Sequence, residues 1–292
     1  MISSAHLPAR RRPATGPAIA AVLAGLFAAP LGAQARSEPD TTRTFLYRGV
    51  GYGSQATFSP ATVLLNVGFE DFLSAGSNRN LRDVPYRSAA RAHWDGLRHP
   101  LEAVERYGGW RPWLTSEILP LEFSLSAGWL PNYFSHLVGG GLQTRMLTEW
   151  YEAQGAPAPK VLGSLTFLAA SFLHETVSYP SATEGAATSV ADLYVFDLPA
   201  SILAHLDGPV GFLAGTLEAA NWSPMVSLAF PGPELTNLGE YWAFKIPLPY
   251  AETTRLFARI GYGTQLGLSR PLGDGYALTV AAGADHAKAD VS

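Results

Sequence analysis

The stretch KVLGSLTFLAASFLHET, residues 160–176, decides the fold. Its apolar part, residues 161–173, carries no charged side chain and predicts a helix. A membrane-spanning helix needs about 20 apolar residues. This shorter run therefore favours a helix that is buried in a protein core or half inserted into a membrane. The other elements are expected to pack around it.

Further segments on both sides of this stretch also predict helices. Ser59 followed by Pro60 indicates a helix start, because Ser caps helices and Pro fits the first position. Ser189 and Asp192 have the spacing of a capping box and predict the start of another helix. The predicted helices, besides 160–176, are 59–69, 93–106, 132–153, 189 to 199 or 206, and 208–220.

After Pro224 the chain becomes β-prone, and segments 241–246, 256–268 and 276–282 predict a short antiparallel meander. We therefore predict an α+β fold, in which an apolar helical bundle packs against a small C-terminal antiparallel β-sheet. The alternative is a β-barrel enclosing helices. A barrel needs about eight or more strands of about ten residues, and the sequence indicates about four or five.

The N-terminus has the features of a secretory signal peptide. Three Arg at 10–12 precede an apolar run at 18–31 and the cleavage pattern Ala33-Gln34-Ala35. We expect an exported protein of the periplasm or outer membrane. The predicted organisation is a signal peptide at 1–35, a tail and loop at 36–58, a helical core at 59–223, and an antiparallel β meander at 224–292 that packs on the core.

Charge and cysteine content exclude several kinds of partner and site. The chain has 20 basic and 24 acidic residues, and loss of the three Arg of the signal peptide leaves a net charge of -7. This acidic balance argues against nucleic acid as a partner, and leaves membrane lipid or an envelope protein. The absence of Cys excludes disulfides, a thiol nucleophile and a Cys-ligated metal. The sequence identifies no cofactor, metal or oligomeric state.

The first candidate site residue is His136. It follows Asn132 by four residues, so the two side chains share one helical face, and it precedes Gly139-Gly140-Gly141. Glycines permit close approach between helices. Two interpretations stay open: His136 is functional, or it is a hydrogen-bonded core histidine.

The second candidate is the pair His174-Glu175, at the end of the most apolar helix. Ionisable groups in such a position are costly unless they are paired or functional. The zinc-protease signature H-E-x-x-H is not met, because residue 178 is Ser. His174 also has a simpler interpretation, as a cation at the C-terminal end of the helix dipole.

Asp192 and Asp197 are the acidic residues of the following helix. Asp192 has a structural interpretation as the capping partner of Ser189. Residues five apart in an α-helix point about 140° apart, so the two Asp are not expected to form a dyad. If three helices pack together, four candidates are expected to converge: His136, His174, Glu175 and Asp192. Two His and a carboxylate suffice for metal binding or acid–base catalysis.

Arg145, Glu149 and Glu152 have spacings of four and three, which place them on one helical face. We expect a solvated strip of ion pairs, in which each pair contributes a few tenths of a kcal/mol.

Residues 132–205 resemble the VanZ-like and YfiM-like group of small bacterial envelope proteins. The matching positions are His136, then His174-Glu175, then the segment 189–192, although His174 stands where the group tends to have Lys. The whole chain also resembles exported envelope proteins of Gram-negative-type bacteria, through the segments 129–136 (W-x-P-N-x-x-x-H) and 191–197 (A-D-L-Y-V-F-D). The resemblance implies an envelope location and no particular activity.

The first functional expectation is a non-catalytic cell-envelope protein, periplasmic or associated with the outer membrane, that packs against lipid or a partner. One alternative is a metal- or acid/base-dependent hydrolase that acts on a lipid-linked envelope substrate. It would use His136, His174, Glu175 and Asp192. The other alternative is an outer-membrane β-barrel.

Overall fold

A computed structural model describes most of the chain after the predicted signal peptide. The described residues are 45–51, 53–70, 81–82, 84–120, 129–178, 185–229, 234–236, 239–261, 263–273 and 276–285. All of them belong to one compact unit, Pro39–Ser292. The predicted signal peptide and most of the predicted tail lie outside the described residues.

The described part of the chain is mostly helical from residue 53 to residue 216, and four of its helices contain π-helical turns. The helices without a π-helical part are α1 (Pro60–Asn66), α2 (Tyr86–Arg98), α3 (Pro100–Arg106) and α6 (Pro159–Ser178). The other helices are α4 (Trp110–Ile118), α5 (Trp129–Ala153), α7 (Gly185–Leu203) and α8 (Asp207–Thr216). Their π-helical parts are Leu114–Ile118, Trp129–Gly139, Ala191–Asp197 and Phe212–Thr216, respectively.

Strands follow the helices and form a five-stranded antiparallel sheet with the order β1-β4-β5-β6-β7. A separate pair of short strands, β2 and β3, is also antiparallel. The strands are β1 (Ala220–Asn221), β2 (Ser227–Ala229), β3 (Glu234–Thr236), β4 (Tyr241–Leu248), β5 (Ala251–Gly261), β6 (Gly263–Gly273) and β7 (Tyr276–Asp285). The predicted α+β fold is confirmed. Within the described residues the sheet is open, with β1 and β7 at its edges, so these strands do not form the closed barrel of the alternative prediction.

Several predicted boundaries were wrong for local reasons. The helix predicted at 93–106 is two helices that meet at His99, because a residue before proline is disfavoured in the α conformation. The strand predicted at 256–268 is divided between β5 and β6 around residue 262. By contrast, Ser59 does cap α1, since its hydroxyl accepts from the backbone N–H of Thr62 at 3.2 Å.

The start predicted at Ser189 was also wrong. Helix α7 begins at Gly185, one turn earlier, so Ser189 lies inside the helix. Its side chain is fully buried and is directed toward neighbouring helices rather than capping its own. Asp192 is therefore not a capping residue.

The core holds α5 and α6 against each other and against the sheet. Leu142, Met146 and Phe167 of these helices form one buried cluster with Trp242 and Phe244 of β4. A Cβ atom at Gly140 would stand 2.4 Å from the ring of Phe167, so the close approach of these helices requires glycine there. This packing places one end of α5 and α6 beside α7.

Among the described residues, two helical segments are long and apolar enough to cross a membrane, judged by length and composition alone. They are α6 and the segment Gly185–Leu203 of α7, each with a mean hydropathy of 1.2. Within the protein, 39% of the first and 61% of the second are buried, and a core helix of a soluble protein meets the same criterion.

Candidate metal centre

His136 on α5 is held in a fixed orientation by Asp197 on α7. Its Nδ1–H donates to Asp197 Oδ1 at 2.9 Å, and the other oxygen of Asp197 accepts from the hydroxyl of Ser171 on α6. A carboxylate on one ring nitrogen is the usual outer support of a metal-binding histidine, because it leaves the other nitrogen for the ion. Here that nitrogen, Nε2, lies 4.0 Å from Asp192 Oδ2.

Asp192 and Asp197 face the same histidine, although the sequence predicted that they would diverge. The reason is that residues 191–197 form a π-helical turn, in which the N–H of Leu198 donates to the carbonyl of Leu193. A π-helical turn is closed by backbone hydrogen bonds between residues five apart. Side chains five positions apart therefore lie on the same side of the helix. π-Helical turns inside α-helices are frequent at functional sites.

Glu175 on α6 is oriented by a chain of two further side chains. Its Oε2 accepts from the hydroxyl of Ser189 at 2.8 Å, and His93 Nδ1 lies 2.7 Å from the same hydroxyl oxygen. The same hydroxyl lies 2.9 Å from the carbonyl oxygen of Gly185, so its single proton is directed to Glu175 or to Gly185, and His93 is the donor to the hydroxyl oxygen. All three side chains are fully buried, and this chain holds Glu175 through Oε2.

His136, Glu175 and Asp192 together form a candidate cation site. One donor atom from each lies within 4.8 Å of the other two. With both carboxylates ionised, Glu175 Oε1 and Asp192 Oδ1 are buried and have no hydrogen-bond partner among the described residues. Two ligands of a tetrahedral zinc ion stand about 3.4 Å apart, so binding requires the most distant donors to approach each other by about 1 to 1.5 Å.

The protonation of the cluster also favours a cation. Burial opposes charge on His136, but Asp197 and Asp192 outweigh it and raise its pKa well above 6.5. Burial, followed by the charge of Asp192, raises the pKa of Glu175 to about 8. Burial likewise raises the pKa of Asp192 to about 6, although His136 opposes this. At neutral pH the cluster therefore retains protons that a divalent ion could replace.

Sequence reasoning missed Glu240, which reaches the cluster from the residue before β4. It is buried, accepts from the indole N–H of Trp242, and lies against α5, where a Cβ at Gly139 would stand 3.0 Å from its Oε1. Burial raises the pKa of Glu240 to about 7, although Trp242 and His136 oppose this. A charged residue directly before the buried segment 241–244 was the signal that could have pointed to it.

His174 and Asn132 lie near the cluster but outside the three donors. The ring of His174 is 6.1 Å from that of His136, and its Nδ1 lies 3.2 Å from the carbonyl of Val67. Asn132 donates to the carbonyl of Glu117 at 2.6 Å and so ties α5 to α4. The structure thus brings together three of the four candidates and places His174 beside them.

The predicted solvated strip on α5 is mostly buried, so that prediction was wrong for two of its members. Arg145 and Glu149 are 7% and 3% exposed, and only Glu152 is exposed. Arg145 Nε donates to Glu149 at 2.8 Å, and its Nη1 donates to Asp207 at 2.8 Å. The N-terminal segment 45–47 covers Glu149, which local helix spacing cannot show.

Comparison with protein-family models, curated proteins and solved structures gave no match. The resemblance to VanZ-like and YfiM-like envelope proteins therefore stays a prediction.

Proposed function

We propose that this protein is a metal-dependent hydrolase of the cell envelope, with one divalent cation held by His136, Glu175 and Asp192. One observation carries the proposal: three donor atoms converge within 4.8 Å, and, when both carboxylates are ionised, Glu175 Oε1 and Asp192 Oδ1 are buried without a hydrogen-bond partner among the described residues. An imidazole and two carboxylates suit Zn²⁺, Mn²⁺ or Fe²⁺.

The number of protein ligands favours a catalytic ion over a purely structural one. Structural zinc sites are closed by four protein ligands, whereas catalytic sites keep a position for water or substrate. His136 is the donor nearest to solvent, with its side chain 13% exposed, while Asp192 is 4% exposed. A carboxylate–histidine support of the kind formed by Asp197 is common to such sites. The envelope location and a lipid-linked substrate rest on the sequence predictions alone.

The test begins with the purified full chain, stripped with a chelator and titrated with Zn²⁺, Mn²⁺ or Fe²⁺ by calorimetry. We expect one ion per chain, and loss of binding in His136→Ala and Asp192→Asn. Glu152→Gln, an exposed acid on the same helix as His136, is the control and should bind like the wild type. Failure of the wild type to bind any ion, or unchanged binding in Asp192→Asn, contradicts the proposal.

Hydrolysis is then measured with the ion-loaded protein on p-nitrophenyl acetate and p-nitrophenyl phosphate. We expect ion-dependent release of p-nitrophenol from one of these probes, and its loss in Asp192→Asn. An ion-loaded protein that cleaves neither probe would be a metal-binding protein without hydrolase activity.

A second candidate function is the non-catalytic envelope protein that rests against lipid. It is favoured by the outer faces of α6 and α7, where Val161, Leu165 and Ile202 are more than half exposed. The only charged residues of the segment Gly185–Leu203 are Asp192 and Asp197, which are both buried.

Flotation with neutral phosphatidylcholine vesicles tests the lipid contact. We expect the full chain to float with the vesicles and the double variant Leu165→Glu/Ile202→Glu to stay in the soluble fraction. Both positions are exposed, so the variant should retain its fold. Equal flotation of both proteins contradicts lipid contact at these faces.

A further inference from the structure

The charges around the candidate metal centre are acidic, apart from its histidines. Four carboxylates belong to it: Glu175, Asp192, Asp197 and Glu240. The charged groups that shift the pKa values of His136, Glu175, Asp192 and Glu240 are three of these carboxylates (Glu175, Asp192 and Asp197), the histidines His136 and His174, and one more acid, Glu117. Among the described residues, no Lys or Arg takes part in this set of interactions.

The sequence extends this observation beyond the described residues. Every residue of the centre lies in one of two stretches, 112–144 and 161–244, and neither contains a single Lys or Arg. The parts of these stretches that lie outside the described residues, 121–128 and 179–184, therefore contain no Lys or Arg either. Arg145, which borders the first stretch, is engaged by Glu149 and Asp207.

We propose that the substrate is a neutral carboxylic ester or amide, not a phosphoester; this rests on the metal-dependent hydrolase proposed above. Enzymes that cleave phosphoryl groups surround the several negative oxygens with Arg, Lys or more than one metal ion. Here one bound divalent cation would stand among four carboxylates, so a phosphate group would meet a surplus of negative charge. A neutral acyl group would not be repelled by this negative charge.

The reaction that follows is a simple hydrolysis and needs no co-reactant other than water. The oxygen of water bonds to the acyl carbon, and the bond from that carbon to the leaving oxygen or nitrogen breaks. One proton of the water ends on the leaving atom, which gives a carboxylic acid and an alcohol or amine. Only one oxygen, that of the acyl carbonyl, gains negative charge on the way, and one cation is enough to stabilise it.

The test uses the Co²⁺-loaded full chain, because the visible spectrum of Co²⁺ reports its ligands directly. Acetohydroxamate is the acyl-like probe and inorganic phosphate is the phosphoryl probe. We expect acetohydroxamate to change the spectrum and phosphate to bind at least about tenfold more weakly, a difference of about 1.4 kcal/mol. The matching activity assay compares p-nitrophenyl acetate with p-nitrophenyl phosphate, which share a leaving group, and we expect only the acetate to be cleaved.

Glu240→Gln tests whether charge is the cause, since at pH 8.5, above the pKa of about 7 of Glu240, it removes one negative charge without removing a metal donor. We expect the affinity for phosphate, relative to acetohydroxamate, to rise roughly tenfold, and Glu152→Gln to leave the ratio unchanged. Tighter binding of phosphate than of acetohydroxamate in the wild type, or preferential cleavage of the phosphate ester, overturns the inference. Absence of Co²⁺ binding, or an ion-loaded protein that cleaves neither ester, instead overturns the proposed function.

Discussion

Helix α5 contributes to two buried groups of charged residues, and the carboxylates of these two groups differ in their hydrogen bonding. Around Glu149, both oxygens are fully used: they accept from the backbone N–H groups of Phe45, Leu46 and Tyr47 at 2.8–2.9 Å, and from Arg145. Around His136, the ionised carboxylates of Glu175 and Asp192 each have one oxygen without a hydrogen-bond partner among the described residues. A buried carboxylate whose oxygens all accept hydrogen bonds is stable as an anion. A buried carboxylate with an unpartnered oxygen is stabilised by a proton or a bound cation.

The two groups also differ in charge balance. Arg145 offsets Glu149 within one turn of helix, and Asp207 completes a local network. The centre at His136 gathers four carboxylates around one histidine. We therefore infer that the Glu149 network stabilises the fold, while the His136 centre binds a ligand.

The largest expected effect is on stability, from Glu149→Gln. Removing one partner of a buried ion pair costs about 3–5 kcal/mol, and here the N-terminal segment 45–47 also loses one of its two acceptor oxygens. Urea unfolding of the full chain measures this. Cation affinity should not change in the folded variant, and a variant as stable as the wild type would remove the distinction between the two groups.

Glu175→Gln should have the opposite effect on the protein without its cation. The neutral amide removes a buried negative charge and can donate to the unpartnered Asp192 Oδ1, so we expect the free energy of unfolding at pH 8 to rise by about 1–3 kcal/mol. Cation binding, measured by calorimetry, should be lost. A variant that is less stable than the cation-free wild type would mean that Glu175 is a structural residue.

Ser189→Ala tests the chain His93–Ser189–Glu175. Loss of an outer-shell partner usually lowers metal affinity about 10–100-fold, and we expect that range here. Ser189→Thr retains the hydroxyl and should restore affinity. Thr176→Val is the matched control, since this buried hydroxyl on α6 donates only to the carbonyl of Phe172. Equal affinity in Ser189→Ala and the wild type would show that the chain does not position Glu175.

The pH dependence of the cation-free protein follows from the raised pKa values. Between about 4.5 and 8 the carboxyl of Glu175 binds more proton when folded than when unfolded, and the same holds for Asp192 between 3.8 and about 6. Stability should therefore be greatest below these windows and fall as pH rises through them, by up to about 1.4 kcal/mol per pH unit for each excess proton.

Cation affinity should change in the opposite direction and increase with pH, because binding displaces these protons. Calorimetry between pH 5.5 and pH 8.5, which brackets the pKa of about 8 of Glu175, measures this. Chemical denaturation at the same pH values measures the stability trend. Stability that rises with pH across this range would contradict the assignment of a proton-retaining cluster.

The sequence predicted the α+β architecture because long apolar runs and β-prone segments are local features. It also pointed to His136, Glu175 and Asp192, since ionisable groups stand out in apolar helices. It dismissed the pairing of Asp192 with Asp197, because an α-helical angle was assumed where the chain forms a π-turn. Glu240 comes from another part of the chain, more than 100 residues after His136, and its placement depends on how the sheet packs on α5.

The smallest expected effect belongs to Glu152→Gln, three residues after Glu149 on the same helix. The same substitution, Glu to Gln, is made at both positions. Glu152 is exposed, so water solvates its carboxylate in both the folded and the unfolded chain. Exposed substitutions of this kind usually change stability by less than about 0.5 kcal/mol. Urea unfolding of the two variants side by side measures the contrast. A cost for Glu152→Gln similar to that for Glu149→Gln would mean that helix position matters more than burial and hydrogen bonding, and the comparison between the two charged groups would lose its physical basis.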